Sequence, residues 1–233
     1  ANLLGAGKSS SKQVQLATSL LFLTRGAPVV YYGDEVGMIG EGGDKAARQD
    51  MFPTQVKAWQ VEERVGSDPI GKGTSLSSAS LTHPIAKYIA ALNTLRVKYP
   101  ALASGALLIR GAKAKVAMWS KLDAADRREF VVVANAGATN VTATIPTSTP
   151  NSTFVGVFGI AKSAKSDIKG QLSIAVPAQT TIVLRAANRL PAVAAPKLSV
   201  AVDSTPAIRA GMAVAKGGKD PLTVTFIART CAT

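Results

Sequence analysis

A polar loop that follows an apolar run holds the side chains most able to do chemistry. Its charged residues between positions 34 and 50 are Asp34, Glu35, Glu41, Asp44, Arg48 and Asp50. Asp44 and Arg48 are four residues apart, so a carboxylate that accepts and a guanidinium that donates hydrogen bonds can lie together. Such a pair can hold the hydroxyl groups of a ligand, or it can form an ion pair that fixes the loop. The residues alone leave both interpretations open.

The elements before this loop predict how it is positioned. Residues 11–25 have a broad apolar helical face, with Ser10 or Ser11 as N-cap and Gly26 at the end. Residues 27–32 predict a short strand that is apolar on both sides, as parallel strands buried on both faces are. The strand ends at Gly33, where the charged loop begins. A buried strand that leads into a charged loop is how parallel barrels and open α/β sheets build their active faces.

The rest of the chain predicts a change of architecture. Residues 33–80 are expected to be mostly loop, with a short helical piece around 54–63, and residues 83–99 form a second amphipathic helix. After Ala101 the pattern becomes short alternating runs, which favour an antiparallel β-sandwich. The seven predicted strands are 106–110, 115–120, 129–135, 140–145, 153–158, 172–176 and 180–185. A stiff linker follows at 190–196, and then two strands at 198–202 and 222–228.

Composition excludes several classes of function. Lys and Arg outnumber Asp and Glu by 27 to 14, giving a net charge of +13. The basic residues are spread along the chain without a Lys/Arg block, so we expect no nucleic-acid partner. No apolar stretch approaches the roughly 20 residues of a membrane span, so we expect no membrane partner. The single cysteine, Cys231, cannot form an intramolecular disulfide, and no residue cluster has metal-ligand spacing.

Three segments resemble one enzyme family. The run RGAPVVYYGDEVGM followed by GGDKAARQDM resembles the last barrel strand and loop of the α-amylase family, glycoside hydrolase family 13. HPIAKYIAALNTLRVKYPALASG is similar to the last barrel helix of that family and the beginning of its C-terminal sandwich. The resemblance covers about residues 13–187. It implies an α/β remnant of a (β/α)8 barrel at 1–104 and an all-β antiparallel sandwich at 105–188. A linker at 189–197 and a truncated immunoglobulin-like β-module at 198–233 would follow.

The resemblance also implies an activity that this chain does not carry alone. Retaining hydrolysis of a glycosidic bond needs a nucleophilic carboxylate and a carboxylic acid. In the family these follow the fourth and fifth barrel strands, and a third acid lies in an Asn-His-Asp motif after the seventh. A whole barrel needs about 250 residues, and the sole histidine, His83, is followed by Pro84. We therefore expect no catalytic residue here and no glycosidase activity for the chain alone. The parent enzyme would hydrolyse or transfer α-glucosidic bonds.

The remaining site residues are implied by the same resemblance. Asp44 and Arg48 resemble a pair that holds a glucose unit, and Tyr32 could stack on sugar at the rim of the site. Gly33, Asp34 and Glu35 would be structural, the two acids bonding to backbone N–H groups of the turn or to a neighbouring Arg. We expect no cofactor, an α-glucan as partner of the parent, and a secreted bacterial protein, extracellular or periplasmic.

A non-enzymatic role is the alternative. The chain could be a β-sandwich that binds carbohydrate or acts as a spacer, with an accidental N-terminal third. Trp119, in a sandwich strand, is expected in the core, and His83 is expected to cap or pack the second helix. Trp59 is left open between carbohydrate stacking and core packing, because either suits a lone tryptophan.

Overall fold

The computed structural model describes residues 10–40, 43–71, 73–80, 82–160 and 162–191. Their helices are α1 Ser11–Leu23, α2 Lys57–Val61, α3 Leu76–Ser80, α4 Pro84–Lys98 and α5 Ala101–Ser104, with a 3₁₀ turn at Asp34–Val36. The strands are β1 Ala106–Lys113, β2 Val116–Leu122, β3 Glu129–Asn135, β4 Val141–Pro146, β5 Thr153–Phe158, β6 Ser163–Lys165, β7 Gln171–Val176 and β8 Thr180–Ala186. The predicted module at 198–233 and most of the predicted linker lie outside the described residues.

The strands form two antiparallel sheets, which confirms the predicted all-β region. One sheet has six strands in the order β1-β2-β3-β8-β5-β6, and β4 pairs with β7 in the other. All seven predicted strands are present within two or three residues of their expected bounds. Strand β6 was not predicted, because three residues at a sheet edge are too short to show alternation.

Strand β3 shows how the layers pack, because all of its residues are buried. Val131 and Val133 pack against the β4–β7 sheet. Phe130, Val132 and Ala134 point the other way and pack against α1, α4 and α5. Side chains alternate along a strand, so this one strand contributes to two cores. The six-stranded sheet is therefore covered by a small sheet on one face and by helices on the other.

The C-terminus of α1 is fastened to the sheet by side chains. The carbonyl of Phe22 accepts from Arg96 Nη1, the carbonyl of Leu23 accepts from Trp119 Nε1 at 2.9 Å, and that of Thr24 accepts from Lys121 Nζ at 3.1 Å. These carbonyls lie where a helix lacks its own donors and carries partial negative charge. Trp119 is buried in the helix-facing core, which confirms its predicted role. Burial, followed by the charges of Arg96 and Arg25, lowers the pKa of Lys121.

A fully buried acid, Glu129, joins three neighbouring strands of the six-stranded sheet. Glu129 Oε1 accepts from Arg110 Nη2 at 2.7 Å and from Ser120 Oγ at 2.6 Å. Its Oε2 accepts from the backbone N–H of Ser148 at 2.7 Å and from Thr149 Oγ1 at 2.9 Å. Each oxygen of the carboxylate thus accepts two hydrogen bonds. A buried charge is tolerated only when it is paired and hydrogen-bonded in this way. The network ties β1, β2 and β3 to the β4–β5 connection.

The predicted strand at 27–32 is wrong. These residues form no strand, and the side chains of Val29 and Tyr31 are 76% and 63% exposed. A parallel strand is held by backbone hydrogen bonds from neighbours on its edges. Among the described residues no other segment pairs with 27–32, so the apolar run stays largely open to solvent. The structure therefore does not confirm the predicted barrel remnant; it shows helices and a loop in this part of the chain.

The helices themselves follow the predictions closely. Ser10 caps α1 in a reciprocal arrangement with Gln13, and α1 ends two residues before the expected limit. Pro84 is the first residue of α4, as expected. In the part of the chain that the structure describes, no helix has the length and apolar character needed to cross a membrane.

Candidate functional site

A tight turn at Gly33 opens the candidate loop. Gly33 has φ +93°, and a Cβ at this position would lie 2.8 Å from Met38 Cε, so another residue would be strained. The Tyr31 N–H donates to Asp34 Oδ2 at 3.2 Å, and the Gly33 N–H donates to Glu35 Oε2 at 2.8 Å. Both carboxylates therefore hold the backbone of the turn, which is the structural role implied for them.

The structure brings Asp44 and Arg48 together on the following turn. Arg48 Nη2 lies 2.7 Å from Asp44 Oδ2. The side chain of Arg48 is 66% exposed and that of Asp44 is 80% exposed. An ion pair this exposed contributes on the order of 0–1 kcal/mol to stability. The pair is therefore preorganised and accessible without being needed for the fold, and both of its charged groups can reach a ligand.

Tyr32 lies apart from this pair, beside Tyr31. The two rings have centroids 4.7 Å apart and planes tilted by 38°, and both rings are exposed. An exposed aromatic pair can present an apolar surface with hydroxyl groups at its edge. Such a pair suits the rim of a site. Among the described residues, no hydrogen bond joins Tyr32 to Asp44 or Arg48.

A cleft of about 410 Å³ adjoins the Asp44–Arg48 turn. Its walls combine apolar side chains with two carboxylates: Ile39, Ala46, Ala58, Trp59, Val61, Glu62 and Glu63. Trp59, in α2, is half-buried there, and Glu62 Oε2 accepts a short hydrogen bond from Gln49 Nε2. We call this space the Trp59 cleft. Of these residues the sequence singled out only Trp59. Glu62 and Glu63 belong to no recognisable motif, and no periodic pattern indicates that they lie near Ala46.

A second, smaller groove of about 180 Å³ lies on the helical side of the turn. Its walls are mostly apolar residues of α1, of α4 and of the turn itself, such as Val14, Leu21, Val30, Met38, Ile85 and Ile89. Leu20, Val29 and the two tyrosines are exposed nearby along the same segments. Apolar side chains of the two helices and of the turn are thus open to solvent on this face.

His83 caps α4, as expected from its position before Pro84. Its Nδ1 accepts from the backbone N–H of Ile85 at 3.2 Å, and the ring is buried. Burial and the nearby charge of Arg64 lower its pKa, while weaker interactions with the backbone of Glu35 and Val65 act in the opposite direction. Folding therefore favours the neutral form of the ring, whose Nε2 is buried without a hydrogen-bond partner.

The titration of His83 can be measured directly because it is the only histidine. Its folded-state pKa is expected below its ordinary value of 6.5. A lowered pKa means that the unfolded chain takes up the proton first. The stability that His83 contributes is thus present above the unfolded-state pKa and lost as pH falls below it. Ring-proton NMR against pH checks this, and a midpoint at or above 6.5 would contradict it.

The described residues give no sign of a metal centre. No group of three or more His, Cys, Asp or Glu side chains is placed to hold a metal ion in the ranges that the structure describes. The exposed charged groups of the loop can form hydrogen bonds, and its exposed or half-buried aromatic rings can stack on a ligand.

No protein-family model matches the chain. Two curated proteins are similar to parts of it. An α-amylase of Streptomyces lividans is 38% identical over 186 residues, covering 79% of this chain and 20% of that protein. The α-amylase SusG of Bacteroides thetaiotaomicron is 31% identical over 103 residues, covering 42% of this chain and 15% of that protein. The chain thus spans a fifth or less of the length of these relatives.

Solved structures show the same likeness in fold. An α-amylase from Geobacillus thermoleovorans aligns with a TM-score of 0.57 at 17% identity, covering 78% of this chain and 34% of that one. An Anoxybacillus α-amylase aligns with a TM-score of 0.55 at 18% identity, covering 78% and 33%. The largely antiparallel sheet with few helices matches the C-terminal domain of these folds.

Proposed function

Because this chain belongs to the α-amylase family, glycoside hydrolase family 13, we propose that it is the C-terminal portion of an enzyme that cleaves or transfers α-glucosidic bonds. The observation that carries the proposal is the match at 38% identity over most of this chain but only 20% of an α-amylase. Retaining hydrolysis needs two carboxyl groups about 5–5.5 Å apart on either side of the sugar. We propose that both come from a part of the enzyme outside this chain.

The division of the chain follows from the same proposal. Residues 1–104 would end a (β/α)8 catalytic barrel, and residues 105–188 would be its C-terminal sandwich. Residues 189–197 would link it to an immunoglobulin-like module. The apolar groove and the exposed run 27–32 support this, because neighbouring barrel elements would cover them. An extracellular or periplasmic location is proposed from the family resemblance alone.

The helices support a barrel origin over the non-enzymatic alternative. Leu23, Leu92, Leu95 and Leu102 are buried in one core with residues of β2, β3 and β8. A sandwich that served only as a binding or spacer module would have no use for this helical layer or for the loop it positions. The six-stranded sheet has an apolar face towards the helices because these helices cover it.

In the intact enzyme, Asp44 and Arg48 would hold one glucose unit of the substrate. The carboxylate would accept from adjacent hydroxyls, while the guanidinium donates through its planar fork. The existing ion pair, at 2.7 Å, keeps both groups oriented before sugar arrives. Preorganisation of this kind reduces the entropy lost on binding.

Substituting either member of the pair should weaken catalysis by the intact enzyme. Asp44→Ala or Arg48→Ala removes charged hydrogen bonds to the sugar hydroxyls, a loss of about 1–3 kcal/mol. We expect kcat/KM on maltooligosaccharides to fall about 5- to 150-fold. Lys45→Ala, an exposed change in the same turn, is the matched control and should have little effect. Unchanged kcat/KM in both variants would instead assign the pair to loop structure.

A further inference from the structure

The Trp59 cleft shares a loop with the Asp44–Arg48 pair but is separate from it. Ala46, midway between the pair in sequence, lines the cleft together with Trp59 and Glu63, whereas neither Asp44 nor Arg48 is among the lining residues. We propose that this cleft is a second binding site for an α-glucan chain, in which Trp59 packs against a sugar ring and Glu63 accepts hydrogen bonds from its hydroxyls. The inference rests on the proposed function, which supplies the class of ligand.

The lining of the cleft fits a pyranose ring. Such a ring has an apolar face of C–H groups and a rim of hydroxyls, so it needs a flat apolar surface beside hydrogen-bond acceptors. Trp59 provides the flat surface, with Ile39, Ala58 and Val61 around it. The volume of about 410 Å³ lies within the range of small-molecule sites.

The carboxylates add the polar half of the site. Glu62 is held by Gln49 Nε2, so its orientation is fixed before a ligand arrives. Glu63 lines the cleft and is exposed, and an ionised carboxylate accepts up to about four hydrogen bonds. Two negative charges disfavour an anionic ligand. A neutral, hydroxyl-rich sugar chain, the ligand that the proposed function supplies, can donate hydrogen bonds to both carboxylates.

The two tryptophans of this chain allow a direct test by NMR. In the ¹⁵N-labelled chain each indole N–H gives one signal, and Trp119 is the internal reference because it is buried and bonded to Leu23. We expect maltoheptaose at millimolar concentration to shift the Trp59 signal saturably and to leave Trp119 unmoved. Cellohexaose, which has β-linkages and another shape, should shift neither signal.

Variants assign the binding to the cleft. Trp59→Ala should abolish binding as measured by calorimetry, with the dispersed Trp119 signal showing that the fold persists. Glu63→Gln, at an exposed position, should weaken binding at least fivefold without affecting the fold. Lys45→Ala is the control and should bind as the unmodified chain does.

Several results would overturn the inference. These are a Trp59 signal that never moves, equal shifts with cellohexaose and maltoheptaose, or unchanged affinity in Glu63→Gln. Loss of binding in Asp44→Ala alone would place the sugar on the ion pair instead. None of these results depends on starch hydrolysis by the longer enzyme, which tests the proposed function separately. A failure of the cleft inference can therefore be told apart from a failure of the proposed function.

Discussion

Replacing Glu129 by Ala should lower the free energy of unfolding by about 3–5 kcal/mol, because removing one partner of a buried ion pair leaves an uncompensated charge. The remaining charge is Arg110, whose side chain is only 14% exposed. The donors at Ser120, Ser148 and Thr149 would also lose their acceptor. Urea unfolding followed by circular dichroism measures the loss, compared at constant m-value.

A matched acid separates burial from charge. Glu63→Gln removes a negative charge at an exposed position and should change stability by no more than about 0.5 kcal/mol. Glu129→Gln keeps the shape of the side chain but not its charge. Its loss of unfolding free energy should lie between those of Glu63→Gln and Glu129→Ala. If Glu129→Ala cost less than about 1 kcal/mol, the network would not be holding β1, β2 and β3 together.

Trp119→Ala should cost about 3–5 kcal/mol and should release α1 from the sheet. Trp119 packs in the core between the helices and the six-stranded sheet, and its Nε1 holds the Leu23 carbonyl at 2.9 Å. Both contributions are lost together in the alanine variant. Relative to the unmodified chain, hydrogen exchange should become faster at the α1 amides by more than at the β3 amides, because β3 keeps its backbone hydrogen bonds to β2 and β8.

Trp119→Phe distinguishes packing from hydrogen bonding. It keeps an aromatic ring in the core but leaves the Leu23 carbonyl without its donor, which should cost about 1–3 kcal/mol. If Trp119→Ala left the α1 amides as protected as in the unmodified chain, the side-chain bonds to the end of α1 would not be what fastens the helix.

The sandwich could be predicted from the sequence because its signal is local. The bounds predicted for 129–135 and 153–158 agree with β3 and β5. Alternation along a strand reflects burial of one face, and turn residues mark the ends, so each strand is readable by itself. Strand β3 is buried on both faces, and the continuous apolar run FVVVA at its centre differs from the alternating pattern of its neighbours in the sequence.

The run at 27–32 shows where local reading fails. Its composition suits a buried strand, yet Val29 is 76% exposed and forms no ladder. The pairing partners that turn such a run into a parallel strand lie far away in sequence, so composition alone cannot supply them. The same physical reason explains why the apolar groove beside it was not predicted.

The candidate site was predictable only in part. The spacing of Asp44 and Arg48 allowed the ion pair, since residues four apart in a helical turn approach each other. The Trp59 cleft depends on how residues 39–63 fold back on themselves, and an irregular loop has no period to read. Trp59 was therefore visible as a residue type, whereas its neighbours Ala46 and Glu63 were not.

The release of reducing sugar from starch tests the central claim most directly, namely that this chain is one part of a family 13 enzyme. The purified 233-residue chain would be compared with the same chain extended by the coding sequence upstream of Ala1. We predict no release by the chain alone and sustained release by the extended protein, because under the proposed function the nucleophile and the acid would lie in the extension. Hydrolysis of starch by the chain alone, or none by an extended and folded protein, would contradict the claim.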